Sequence, residues 1–158
     1  VEHRKELGGK SASTQRQLCT FYVKNQLYGI DVTQVQEVVK AMAMSRIPLA
    51  LYYVRGLINL RGQVATAVGL REMFQLDGQT EKSSMNVILR HEGALIALQV
   101  DEIGDVMEVE RGDIESIPST IPDSIRSYMS GVFQLKNSLL CVIDLNKLFQ
   151  NVSESEAV

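Results

Sequence analysis

The chain has 158 residues, 45% of them apolar, and its 16 Lys and Arg against 19 Asp and Glu give a formal net charge of −3. That length builds one domain or two small units sharing an interface. The charge offers no basic field for nucleic acid or anionic lipid, and no run of about 20 apolar residues exists to span a bilayer.

Val1 to Arg16 shows no hydrophobic period and no apolar h-region, so it reads as a mobile tail rather than a secretory signal, and the cytoplasm is the expected compartment. Leu18–Val23 and Leu27–Ile30 read as strands around the polar turn Lys24-Asn25-Gln26. Asp31 can cap a short helical turn through Val32 and Val35. Val35–Ala41 is rich in β-branched residues and reads as strand. Ala43–Tyr53 contains Ile47-Pro48 and is irregular, because proline removes a ladder donor.

Val54–Phe74 organises the rest. Two apolar strands meet at Arg61-Gly62, where Gly62 supplies the positive φ that a tight reversal needs. Leu70, Met73 and Phe74 then recur at the spacing of one helical face. Gln75–Ser84 is polar, holds Asp77-Gly78 and reads as a linker. Met85–Leu89 and Ala94–Val100 form a second hairpin around Arg90–Gly93, and Ile103–Val109 is a further strand. Pro122-Asp123-Ser124 opens a short helical stretch. Asp144 is an N-cap candidate for a terminal helix with Leu145, Leu148, Phe149 and Val152 on one face, after which Val152–Val158 reads as an acidic, ragged end.

The central pattern returns 75 positions later: Tyr128–Phe149 aligns without a gap on Tyr53–Phe74. Tyr53 meets Tyr128, Gly56 meets Gly131, and Arg61-Gly62 falls on Lys136-Asn137, where Asn137 is expected to take the left-handed conformation in place of glycine. Ile103, Asp105 and Val106 stand 68 positions after Val35, Glu37 and Val38. The chain therefore reads as one unit of about five short strands used twice. Such a unit closes into a small barrel, and two of them must share apolar surface to be stable.

Catalytic chemistry finds little support. Cys19 and Cys141 sit in apolar runs and read as small buried hydrophobes. His3 and His91 lie in polar segments, too isolated to complete a metal site or a positioned base. The phosphate-binding glycine motifs are missing. Asp101 and Asp105 share one strand face, and a solvated edge explains them better than a carboxylate site. Surface recognition remains. Arg61 at a hairpin tip is either a bidentate partner for a carboxylate or a solubilising turn charge. Glu37 in a valine-rich strand is a solvent-face acid, an edge charge, or the rim of an apolar docking patch.

YGIDVTQVQEVV, the Ile47-Pro48 corner, VRGLINLRGQV and Leu70-Arg71, followed by ALQVDEIGDVMEV and CVIDLNKLF, together resemble the CheW family of bacterial chemotaxis coupling proteins, in order from about Gln17 to Gln150. One departure is visible: Thr66 and Gly69 stand where the family carries Pro and Asp. The resemblance implies a mainly β fold of two five-stranded SH3-like barrels packed on a shared hydrophobic seam, with short helices including a C-terminal one. It implies a tail over 1–16, a single domain over 17–150 made of subdomains near 17–80 and 85–150 that can exchange strands, and a second tail over 151–158. It further implies a non-enzymatic adaptor without cofactor or metal, held at membrane receptor arrays by protein contacts. That adaptor couples chemoreceptor cytoplasmic tips to the regulatory domain of the histidine kinase CheA. Receptor contact falls on Val35, Glu37, Asn59 and Arg61, with Val38 and Val100 as apolar docking surface. The alternative from another class is a small-molecule-binding β-barrel sensor.

Overall fold

The computed structural model describes residues 14–48, 51–78 and 84–157. β1 (Gln15–Val23) and β2 (Gln26–Asp31) form a hairpin on Lys24-Asn25, whose φ values of 49° and 67° are both left-handed. This is the backbone that lets a two-residue turn follow the twist of its strands. Asp31 accepts the Thr33 amide and hydroxyl and caps a 3-10 turn at Val32–Gln34. β3 (Val35–Lys40) follows. β4 (Val54–Leu60) and β5 (Gln63–Gly69) turn on Arg61-Gly62 and run into α1 (Leu70–Met73). β6 (Met85–His91) and β7 (Ala94–Val100) turn on Glu92-Gly93. β8 (Glu102–Glu110), α2 (Asp123–Arg126), β9 (Met129–Gln134), β10 (Leu139–Ile143) and α3 (Leu145–Ala157) complete the chain.

Three local expectations need correction. β1 begins at Gln15, inside the stretch read as a tail, because its first residues pair with Val109 and Glu110 of β8. The terminal helix runs on to Ala157, so the acidic end is helical up to that residue. Asn137 does not enter the left-handed region. The β9–β10 connection closes instead with the Leu135 amide donating to the Ser138 carbonyl at 2.8 Å.

The strands form two five-stranded sheets, ordered β8-β1-β2-β10-β9 and β3-β6-β7-β5-β4. Each sheet takes its first hairpin from one copy of the repeat and its other three strands from the other copy, so the copies exchange hairpins. Their registers correspond residue for residue. Val54 pairs with Val68 and Gly56 with Ala67 across a bulge, and 75 positions on Met129 pairs with Ile143 and Gly131 with Val142 across the same bulge. Leu27 runs parallel to Leu140 in one sheet as Leu95 runs parallel to Ala65 in the other.

One isolated bridge joins the two ends of each sheet. Ser45, just beyond β3, exchanges backbone hydrogen bonds with Leu57 of β4 at 2.9 and 2.8 Å. Glu115, just beyond β8, does the same with Val132 of β9 at 2.8 and 3.0 Å. A glycine precedes the bridged strand residue each time. A Cβ on Gly56 would stand 2.5 Å from the Ser45 carbonyl oxygen, and one on Gly131 would stand 2.8 Å from the Glu115 carbonyl oxygen. Closure of each sheet therefore selects glycine at the matched position.

Closure creates two interiors. Ile58, Leu60, Ala65, Ala67, Ile88 and Leu95 fill one, and Leu18, Leu27, Phe133, Leu140 and Val142 fill the other. Between the sheets lies a larger shared cluster that includes Phe21, Tyr28, Phe74, Val87, Leu98, Tyr128 and Phe149. A fully buried Leu, Val or Phe contributes roughly 1.5–3 kcal/mol, so this seam holds the two sheets together.

Asp101 marks the passage from β7 in one sheet to β8 in the other. The sequence reads it as a solvated edge acid, but the structure packs it. Arg71 of α1 grips it at both oxygens, at 3.1 and 2.8 Å, with only 18% of either side chain exposed. The Lys24 amide of the β1–β2 turn donates to it at 2.6 Å. Burial pushes the Asp101 carboxyl up, but the Arg71 hydrogen bond, the Lys24 amide and the Arg71 charge outweigh it and hold the group below the ordinary carboxylate range.

Two outcomes are expected. Gly56→Ala and Gly131→Ala each lower stability by about 1–3 kcal/mol, and unchanged urea midpoints in both variants would contradict the closure role. Because the folded Asp101 pKa is depressed, its stabilisation is whole above the unfolded pKa of about 3.9 and is lost as pH falls through the folded value. Asp101→Asn is then less stable than the parent at neutral pH, with the gap closing in acid; a gap independent of pH contradicts the assignment.

Candidate functional site

β3 and β4 lie at opposite ends of one sheet, and the Ser45–Leu57 bridge brings those ends together. As a result Glu37 of β3 meets Arg61 at the β4–β5 tip, and the two side chains form an ion pair. Arg61 has φ 50° and Gly62 has φ 88°, a left-handed pair that a two-residue hairpin turn favours. Asn59, exposed on β4, accepts the Gly62 amide at 2.8 Å and stiffens that turn. The Arg61 side chain remains 66% exposed while that of Glu37 is 26% exposed. An exposed pair of this kind is worth little to folding, about 0–1 kcal/mol. What it does is fix where a guanidinium is presented.

Of the residues singled out in the sequence, Glu37, Asn59 and Arg61 therefore converge at one tip. Val35 and Val38 are half-buried on β3 and pack against the shared cluster, where they flank the tip with partly accessible apolar surface. Val100 does not belong with them. It is fully buried in the shared cluster, because β7 is an inner strand with one face on a sheet interior and the other on the seam. It cannot be docking surface without unfolding the seam.

The structure adds residues that sequence reading misses. Arg90 at the end of β6 donates to Gln36 of β3 and to Gln63 of β5, both at 3.0 Å. It braces the strand that carries Glu37 against the hairpin that carries Arg61. Val64 beside that hairpin turn is 61% exposed. It lines an open cleft of about 430 Å³ with Arg90 and Leu95. Arg90 lies in a predicted turn with partners 54 and 27 residues away, so no local signal reveals its role.

The second repeat copy does not carry the same device. Asp105 and Lys136 occupy the positions equivalent to Glu37 and Arg61, yet no ion pair joins them among the described residues. The reversal that presents Lys136 has a different backbone, as the Asn137 result shows. Val106, equivalent to Val38, is 59% exposed.

Candidate nucleophiles are muted. Cys19 and Cys141 are free and buried, as the sequence predicts. Burial raises both thiols, Cys141 to about 11, which keeps them protonated at neutral pH. His3 lies outside the described residues. His91 is less isolated than expected: its ring stacks on Phe149 of α3 with centroids 4.2 Å apart and lies 3.4 Å from Glu92. Among the described residues no helix is long and apolar enough to cross a membrane.

A CheW-like domain model matches residues 17–153. The chain is 35% identical over 142 residues to the chemotaxis protein CheW of Treponema pallidum, covering 87% of this chain and 84% of that one. It is 30% identical over 146 residues to the chemotaxis protein CheW of Bacillus subtilis, covering 92% and 94%. The crystal structure of the scaffolding protein TtCheW from Thermoanaerobacter tengcongensis matches with a TM-score of 0.74 and 27% identity, covering 82% of this chain and 84% of that one. With the duplicated unit, the two five-stranded sheets and the shared seam, these matches show that the chain belongs to the CheW-like domain family.

Proposed function

We propose that this protein is a chemotaxis adaptor that couples the cytoplasmic domain of a chemoreceptor to the regulatory domain of the histidine kinase CheA. The observation that carries this reading is the match of the whole double-sheet scaffold to proteins named for chemotaxis and for scaffolding. The work is binding: two partners are held near each other, and charge and shape at modest patches set which partners are accepted. Val35, Glu37, Asn59 and Arg61 form the receptor-facing site in this reading, with Val38 as half-buried apolar surface beside it. Glu37 orients Arg61, Asn59 and Gly62 stiffen the tip, and the guanidinium offers a planar fork to a partner carboxylate. Arg90 holds the two supporting strands in register behind it.

The protein is expected to pull down both a receptor cytoplasmic fragment and the kinase regulatory domain; binding to neither sinks the reading. Arg61→Glu should weaken receptor binding about tenfold, a loss of about 1.4 kcal/mol, while the thermal melt stays within a few degrees of the parent. A large fall in the melt would make Arg61 structural instead. Exchanging the charges, with Glu37→Arg and Arg61→Glu together, should restore the tip's rigidity but not receptor binding, because the fork no longer points outward from the hairpin.

A further inference from the structure

On the flank of the seam formed by β2, β10 and α2 lies a cleft of about 420 Å³. Its walls are apolar, from Leu76, Ile121, Ile125 and Leu139, and its floor is Tyr28 with Cys141. These two floor residues are register partners on parallel strands, so they stand side by side. Tyr28 is 1% exposed and Cys141 is 3% exposed. A tyrosine buried to that degree ordinarily finds a hydrogen-bond partner for its hydroxyl. Among the described residues the Tyr28 hydroxyl has no protein partner, its ring is fixed between Phe21 and Phe74, and the hydroxyl is not sealed from solvent as the unpartnered Asn86 Oδ1 and Gln99 Oε1 are.

Two of the polar side chains at the rim are already engaged, and Thr120 stands exposed beside them. Lys24 pairs with Asp77 at 3.2 Å. The Gln26 amide donates to the carbonyls of Leu27 and Leu139 at 2.9 and 2.6 Å. No net charge at the mouth is left to select an ion, and the Tyr28 hydroxyl on the floor and the Thr120 hydroxyl at the rim are left to select an acceptor. The volume falls in the range of small-molecule sites, which combine apolar walls with few convergent polar groups. A protein interface places its polar groups at the rim instead. The Cys141 thiol, raised by burial, stays protonated and offers no covalent chemistry.

We propose that this cleft binds a small, uncharged, mainly apolar molecule through one hydrogen-bond acceptor that the Tyr28 hydroxyl engages. The site is separate from the Glu37–Arg61 tip and does not depend on the adaptor reading. It gives the small-molecule alternative raised by the sequence a specific location on the same scaffold.

The test is a titration of the full chain, labelled at its Ile and Leu methyl groups, followed by NMR. Acetophenone serves as an apolar probe with a carbonyl acceptor, and ethylbenzene as its counterpart without one. Acetophenone is expected to shift the methyls of Ile121, Ile125 and Leu139 saturably. Tyr28→Phe breaks no internal hydrogen bond, so it should melt like the parent, bind acetophenone about tenfold more weakly and bind ethylbenzene unchanged. The absence of saturable shifts at those methyls overturns the proposal, as does equal acetophenone affinity in parent and Tyr28→Phe. Shifts that appear only on adding the receptor fragment or the kinase domain also overturn it, by making the cleft a protein contact.

Discussion

An exchange of hairpins sets the rest of the molecule. Neither copy of the repeat holds a complete sheet, since β1–β2 complete the sheet of the second copy and β6–β7 complete that of the first. The parallel pairings of β2 with β10 and of β5 with β7 are the joints of this exchange, and parallel strands need distant chain segments to meet. Each hairpin turns one face to a sheet interior and the other to the seam. Leu27 and Leu95 fill the two interiors, while Tyr28 and Ile96 fill the shared cluster. Asp101, held by Arg71 and the Lys24 amide, pins one of the crossings between sheets.

Duplication leaves a near-symmetric frame on which the copies have diverged at their surfaces. The closing bridges, the bulges and the glycines beneath them are matched. The tips are not. Arg61 sits on a stiff left-handed turn and is oriented by Glu37, whereas Lys136 sits on a different reversal and lacks that pairing. The interiors differ as well: Ala65 and Ala67 in one sheet stand where Leu140 and Val142 stand in the other. The adaptor proposed above would need such asymmetry to hold two unlike partners, because two identical faces could not discriminate between them.

Much of this was legible in the residues because it is local. Strand positions, the Asp31 cap, the turns at Lys24-Asn25 and Arg61-Gly62, and the buried face of the last helix follow from propensity, capping and period. Long-range features were hidden. The hairpin exchange depends on which distant strands pair, so the sequence left it open. The resemblance puts Val100 on docking surface, and the short apolar run that holds it does not reveal that both faces of its strand are covered. Asp101 looked like an edge acid because its partner Arg71 is 30 residues away. Glu37 and Arg61 were each identified, but their pairing required the sheet to close. Asn137 shows the limit of matching residues by alignment: asparagine permits the left-handed turn without requiring it.

The exchange is tested most directly by cutting the chain. Residues up to Gly78 and residues from Ser84 onward, made as separate polypeptides, each lack two strands of every sheet they contribute to or more. Circular dichroism melts of each half alone and of the equimolar mixture should show no cooperative transition for either half and a single cooperative transition for the mixed 1:1 complex. A half that melts cooperatively by itself as a monomer would contradict the account, since it would show a repeat copy closing its own sheet.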